Sequence, residues 1–337
     1  MKFFFNGGSY PELVKTLQDL GHAVVDHDAC WLHHINQNDK GKKYNSILRD
    51  AIQKHKPDVY LCTKCMKDNF RVYEDTHKFV QKNSGITVYW SQDDPFFMPK
   101  FMQNRLYTGL RVALTCSTSA FRDYKSAGMT PYLFWPAFDR IVRTFSPVKE
   151  RDKIDFTFVG TPYTCTDIPR RDLVGALLDS GITNIELYGS LAWKSTKFSG
   201  SRTSIGIQGG KRLADLYRGM VPWGKVHLKY AQARLNLSNH VVRTEAYLND
   251  RVPMVLGVGA FLFLDRSKVL EKEFIHEEDV VYYTGKLDFI KKAKYYIGKP
   301  RLREKIGQSG RKKVLERHTY EARAHKLLRI LSQHGIK

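Results

Sequence analysis

From Leu235 to Leu256 the chain reads LNLSNHVVRTEAYLNDRVPMVL. Alternating small apolar residues over Ala233–Leu237 predict a strand, and Ser238 to His240 read as the polar loop that leaves it. A helix is expected over Thr244–Leu248, followed by a strand over Val252–Leu256 headed by Pro253. That order sets Arg243 and Glu245 at a helix start beyond the carboxyl end of a strand. A carboxylate there can accept two ribose hydroxyls, and a guanidinium offers a fork to a diphosphate. The same pair has a plainer reading, in which Glu245 favours the helix dipole and Arg243 pairs with it; the residues alone leave both open.

The same alternation extends outward in both directions. Upstream, Ile154–Val159 reads as a strand ending at Gly160, a helix carries Leu173, Ala176, Leu177 and Leu178, and Ile185–Tyr188 is a strand ending at Gly189. Downstream, Phe261–Leu264 and Val280–Tyr283 complete a sheet before helices take over near Leu287. The first half follows the same rhythm, with strands expected at Lys2–Phe5, His22–Val25, Asp58–Cys62, Ile86–Trp90 and Val112–Cys116. Strands alternating with helices imply right-handed crossovers and parallel sheets, so the expected class is α/β. A chain of 337 residues suits two domains, here 1–145 and 146–315, with a helix over 316–337 packing back on the first. No segment repeats at a fixed period, and no stretch approaches the roughly 20 apolar residues of a membrane span. The opening MKFFFNGGSY lacks a signal peptide's apolar core and reads as a first strand in a cytoplasmic protein.

Charge points to partners. Fifty-five Lys and Arg against 34 Asp and Glu leave a net +21, and residues 286–337 alone hold sixteen basic and four acidic residues. Such a one-sided face repels itself unless it meets a polyanion, whether nucleic acid, an anionic membrane surface or a phosphorylated ligand. Residues 194–212 form a Gly/Ser/Lys-rich insertion whose Lys194, Lys197, Arg202, Lys211 and Arg212 have no acidic neighbour within it. It reads equally as a polyanion contact and as a solvated loop. Five cysteines, Cys30, Cys62, Cys65, Cys116 and Cys165, are an odd set that argues against a disulfide framework. Cys62 and Cys65 form a single CxxC with no second pair, so packing is the expectation and zinc is not. Asp26-His27-Asp28 has the outline of a metal-binding DxD, but its place in a first parallel lobe reads as a loop.

Two parallel sheets in succession place ligands at their carboxyl ends, where glycine turns hold phosphate on free N–H groups. Gly7 and Gly8 lie at one such strand end, and Gly160 with Thr161 at another. Each alone is better explained by an ordinary turn.

Phe158-Val159-Gly160, Tyr188-Gly189, Leu235-Asn236-Leu237-Ser238, Arg243-Thr244-Glu245-Ala246 and the later Pro253 come in that order. Trp90 to Pro95, Thr115 to Thr118 and Trp135 to Asp139 precede them, and Gly310 to Arg323 follows. Together they resemble the CgeB-like and related family 4-type GT-B glycosyltransferases, over most of the chain. The chain departs from that pattern at Asn249-Asp250, where the family usually has glycine, and in its basic insertion. The resemblance implies a GT-B fold, two Rossmann-like domains facing across a cleft, and a nucleotide-sugar donor, expected to be a UDP-sugar, in the second. It implies Glu245 on the ribose, Arg243 and the backbone near Gly160 on the diphosphate, and Tyr188 near the base. Gly7, Gly8, Thr161, Gly189, Ser238 and Thr244 join that donor set. It further implies no cofactor and no metal, with cations meeting the leaving-group charge. If the reaction inverts, a base must take the acceptor proton: Asp93 or Asp94, at a strand end, is expected, ahead of His33, His34 and His22.

A sugar transferase acting on small molecules has no use for so basic a tail, whereas one acting on double-stranded DNA gains phosphate contacts. The expected acceptor is therefore a hydroxymethylated pyrimidine in phage DNA, with Lys194, Lys197, Arg202, Lys211 and Arg212 on the backbone. Reaching a base requires flipping it or entering its groove, and Phe96 and Phe97 read equally as an apolar wedge and as core. The alternatives are a cell-envelope or spore-coat glycosyltransferase whose basic face meets anionic lipid or polymer, and a nucleic-acid-binding protein on a GT-B scaffold.

Overall fold

The computed structural model describes residues 1–6, 10–27, 42–63, 70–92, 94, 98–103, 107–138, 140–145, 152–162, 168–195, 210–240 and 247–336. They form two compact units, Met1–Trp135 with Tyr320–Lys337, and Pro136–Thr319.

The first unit runs β1 (Lys2–Asn6), α1 (Pro11–Asp19), β2 (Ala23–His27), α2 (Lys42–His55), β3 (Val59–Cys62) and α3 (Phe70–Asn83). It continues with β4 (Ile86–Ser91), α4 (Met98–Gln103), β5 (Val112–Thr115), α5 (Phe121–Ser126) and β6 (Thr130–Leu133). Its strands are all parallel, in the order β2-β1-β3-β4-β5-β6. Every residue of β3, β4 and β5 is buried, as expected of strands covered by helices on both faces.

In the second unit, α6 (Arg140–Arg143) leads to β7 (Ile154–Val159), α7 (Arg170–Asp179), β8 (Ile185–Tyr188), α8 (Gly210–Ala214) and β9 (Tyr217–Gly219). Next come α9 (Val226–Gln232), β10 (Ala233–Ser238), α10 (Arg251–Gly257), β11 (Leu262–Asp265), α11 (Lys268–Glu273) and β12 (Val281–Tyr283). Helices α12 (Lys286–Ile297) and α13 (Pro300–Arg317) close the unit. The sheet is again parallel, ordered β12-β11-β10-β7-β8-β9. The chain therefore builds outward from β7 to one side, then returns to place β10 on the other. A final helix, α14 (Tyr320–Gln333), belongs to the first unit, where Arg323 Nε donates to the Trp135 carbonyl at 2.6 Å. No helix of the described residues is long and apolar enough to cross a membrane.

One element departs from expectation. Val252–Leu256 lies within α10 and is not a strand, while Tyr247 and Leu248 lie outside any helix. Short apolar runs do not reveal their period, and α10 is buried at every position, so the strand-like look of VPMVL came from burial alone. Pro253 is tolerated because it sits in the first helical turn, where its missing N–H has no intrahelical partner to lose. Helix α13 packs tightly on the turn that follows α10 and on the segment before β12: a methyl group on Gly307 would overlap the Gly259 carbonyl oxygen, and one on Gly310 would stand 2.6 Å from the Asp279 carbonyl oxygen and 2.9 Å from the Leu256 side chain of α10.

Gly307→Ala is therefore expected to overpack this seam and cost about 1–3 kcal/mol. Gly175→Ala, within α7 with no atom within 4 Å of the added methyl, is expected to stabilise by roughly 0.5–1 kcal/mol. Urea titration of the two variants checks the contrast.

Candidate functional site

In an open parallel sheet the ligand crevice opens where the strand order reverses, beyond the carboxyl ends of the strands. In the second unit that point lies between β7 and β10, paired with Asn236 opposite Thr157. Beyond β7 the backbone is drawn very tight. Gly189, at φ +105°, lies so close that a methyl group on it would stand 2.9 Å from the Gly160 amide nitrogen. Gly160 donates its N–H to the Tyr188 carbonyl at 3.0 Å and accepts from the Trp193 indole at 2.8 Å.

Two arginines flank the buried Phe158 ring, with guanidinium carbons 5.1 Å (Arg170) and 4.5 Å (Arg251) from its centre. Arg170 spans the reversal point itself, giving one N–H to the Thr161 carbonyl beyond β7 and another to the Asn239 carbonyl beyond β10, both at 2.7 Å. Arg251 opens α10 and donates from Nε (3.2 Å) and Nη2 (2.9 Å) to the Val159 carbonyl. The Asn249 side chain sets that helix start, accepting from the Ser238 hydroxyl and from the Arg251 amide, both at 3.1 Å. Tyr230, wholly buried beside Arg251, has its phenol pushed up to about 12, chiefly by desolvation. Arg251 is only 9% exposed, and its Nη1 is buried without a hydrogen-bond partner. Among the described residues no carboxylate is paired with it. A buried cation left in that state calls for an anion.

Beside these arginines, His240 donates its backbone N–H to one oxygen of Asp265 at 3.0 Å, and its Nδ1 lies 2.5 Å from the other. Asp265 is the last residue of β11, and both side chains are buried.

Of the residues expected from sequence, Gly160, Thr161, Tyr188, Gly189 and Ser238 gather at this carboxyl edge. Tyr188 is engaged: its hydroxyl donates to Glu186 at 2.5 Å, Lys229 Nζ lies 4.9 Å from its ring centre, and burial holds its phenol well above the usual range. Gly7, Gly8, Asp93, Arg243, Thr244, Glu245, Lys197 and Arg202 lie outside the described residues, as do Asp28, His33, His34, Phe96, Phe97, Cys30, Cys65, Cys165 and the Lys211 side chain. Lys194 is exposed over the Tyr217 ring at 5.6 Å. Arg212 pairs with Asp179 at 2.9 Å, which leaves it less of its charge to give an incoming polyanion. Cys62 and Cys116 are buried thiols, and the described residues contain no cluster of three metal-ligating side chains.

Sequence reasoning missed Arg170, Arg251, His240 and Asp265. Signals existed: Asn249-Asp250 before Arg251 is a helix-start pattern, and an aspartate ending the apolar strand LFLD stands where ligands bind. A cavity of about 170 Å³ opens at the opposite end of the sheet, beside Ala233, Arg234, Phe261 and Arg303. Its cations are already paired with carboxylates, Arg234 with Asp155 and Arg303 with Asp152, so it offers an anion little.

Residues 140–329 match the protein family described as glycosyl transferase-like. No curated protein sequence matches the chain. Among solved structures, sucrose-phosphate synthase of Thermosynechococcus elongatus is similar at TM-score 0.67 and 11% identity, covering 99% of this chain and 98% of that one. Anabaena HepE, solved with UDP-glucose, is similar at TM-score 0.66 and 11% identity over 99% and 100% of the two chains. T4 phage BGT, solved with UDP and Mn2+, is similar at TM-score 0.58 and 12% identity over 99% of each. These likenesses establish a GT-B-like fold of two parallel α/β sheets.

In the first unit, Asp94 occupies a packed position. It is 2% exposed, and one carboxylate oxygen accepts from the hydroxyls of Thr115 and Tyr124, both at 2.7 Å. Burial raises its pKa above the ordinary 3.8 despite those hydrogen bonds, so the folded state binds its proton more tightly than the unfolded state does. Its contribution to stability is therefore complete below the ordinary value and is lost as pH rises through the raised one. Asn cannot titrate, so wild-type stability relative to Asp94→Asn should fall across that window and then level. Urea titrations at several pH values test this, and a difference that rises with pH would contradict it.

Proposed function

The chain belongs to the glycosyl transferase-like family, and from that premise we propose that it moves a sugar from a UDP-sugar to a hydroxyl group on DNA. The observation that carries the donor half is the buried Arg251 guanidinium, with its open Nη1 and no carboxylate paired with it among the described residues. A nucleoside diphosphate brings the anion that this position lacks, and its oxygens match the guanidinium fork. When the bond from sugar to phosphate breaks, the electron pair stays on the departing diphosphate, and Arg251 stabilises that charge inside a dry site. The base is placed against Tyr188, where Leu191, Met220 and Trp223 stand 69%, 75% and 53% exposed beyond β8 and β9. Glu245 takes the ribose hydroxyls, and Arg243 adds a second cation to the phosphates. UDP-glucose in the similar HepE and UDP in the similar T4 phage BGT support a uridine donor.

The acceptor reading rests on charge. Lys286, Lys291, Lys294, Arg301, Lys305 and Lys312 are exposed along α12 and α13, in a chain of net charge +21. Such a face binds double-stranded DNA through its phosphates, and the acceptor is a hydroxymethylated pyrimidine turned out of the stack. Asp94 is already committed to Thr115 and Tyr124, so Asp93 is the carboxylate proposed to take the hydroxyl proton.

Hydroxymethylated DNA incubated with UDP-sugars, digested and analysed by mass spectrometry, should yield a nucleoside heavier by one sugar. Arg251→Ala should lower the rate by about 10²–10³, as loss of one charge-stabilising donor does. An unmodified digest with UDP still released would sink the DNA acceptor, and no release of UDP from any donor would sink the donor as well.

A further inference from the structure

His240 is 4% exposed and stands next to Asn239, whose carbonyl Arg170 ties across the reversal point. Asp265 grips it twice, through the backbone N–H and through Nδ1. The Tyr247 ring meets the imidazole edge-on, with centroids 5.2 Å apart. One carboxylate holding both groups fixes the ring's orientation and keeps a proton on Nδ1, as a carboxylate behind a histidine does in many sites. Nε2 is then the only part of the imidazole left to act, and it is buried without a hydrogen-bond partner. A histidine kept only for packing would not need a carboxylate to orient it, and leaving a ring nitrogen unsatisfied costs about 1–3 kcal/mol. The position that would repay this cost is beside the donor phosphates, one residue from the arginine-bridged carbonyls.

We propose that His240 is a ligand of the donor diphosphate, donating a hydrogen bond from Nε2–H to a phosphate oxygen, and that Asp265 is its positioning residue. The proposal rests on the donor reading above and extends it. A ring that makes both contacts carries two protons, the one on Nε2 taken up from solvent as the diphosphate binds, and its positive charge lies between two anions. No bond to carbon forms or breaks at the histidine, and no proton leaves it in the bound state.

Calorimetric titration of UDP and of uridine into the full chain separates the phosphate contact from general damage. His240→Asn keeps an amide N–H where Nδ1 meets Asp265 and deletes Nε2, so the grip on the loop survives while the phosphate donor is lost. It should weaken UDP binding by about 10- to 100-fold, the range for a hydrogen bond to a charged group, and leave uridine binding unchanged. His240→Gln, whose amide reaches the Nε2 position, should recover part of that loss. Asp265→Asn should weaken UDP less than His240→Asn, and combining the two should cost less than the sum of the separate losses. Equal losses for UDP and uridine, or no loss in His240→Asn, would overturn the assignment while leaving the donor site intact. Failure of the wild-type chain to bind UDP would overturn the donor reading itself.

Discussion

Arg251 lies almost wholly out of water, two of its nitrogens on the Val159 carbonyl, its guanidinium over the Phe158 ring and its remaining nitrogen without a hydrogen-bond partner among the described residues. A guanidinium does not shed its proton to relieve burial, as a lysine or histidine can, so its charge must be met where it stands. The carbonyl and the ring meet part of it. Much of the second unit's local structure serves that placement. Gly160 leaves the guanidinium room, since a methyl group there would stand 2.7 Å from Nη2. Asn249 fixes the helix start by joining the Ser238 hydroxyl to the Arg251 amide, and Gly307 of α13 lets the turn that follows α10 sit at backbone distance.

The parallel sheet explains why this happens at one point. Strands running the same way end together, and the reversal between β7 and β10 leaves a gap that side chains from neighbouring elements must bridge. Arg170 does so with two carbonyls of the chain, and Arg251 approaches from α10. His240 and Asp265 stand just beyond β10 and at the end of β11. Each group reaches the edge from a different stretch of sequence, and what they share is the end of the sheet.

That geometry also determines what could be read in advance. The strands were legible because their apolar runs are short, bounded by glycine or polar residues, and spaced by helical patterns, as at Ile154–Val159 and Ile185–Tyr188. The turns at Gly160 and Gly189 were legible for the same reason. Helix α10 was not, because a segment buried on every side shows no period, and Pro253 suggested a strand head although a first helical turn accepts it equally well. Misplacing that helix hid Arg251. Arg170 was hidden differently: an arginine opening an exposed-looking helix reads as a solvated charge, and only the fold shows it 3% exposed under two carbonyls. In the first unit, Asp94 looked open because it follows a strand, yet Thr115 and Tyr124 close over it.

The central claim is that the reversal point of the second sheet binds the phosphates of a sugar nucleotide. A crystal structure of the chain soaked with UDP-glucose tests it most directly. The account predicts a diphosphate lying beyond the ends of β7 and β10, with a phosphate oxygen within hydrogen-bond distance of Arg251 Nη1. A nucleotide bound at the amino-terminal end of that sheet, or Arg251 still without a ligand contact when the nucleotide is bound, would contradict it.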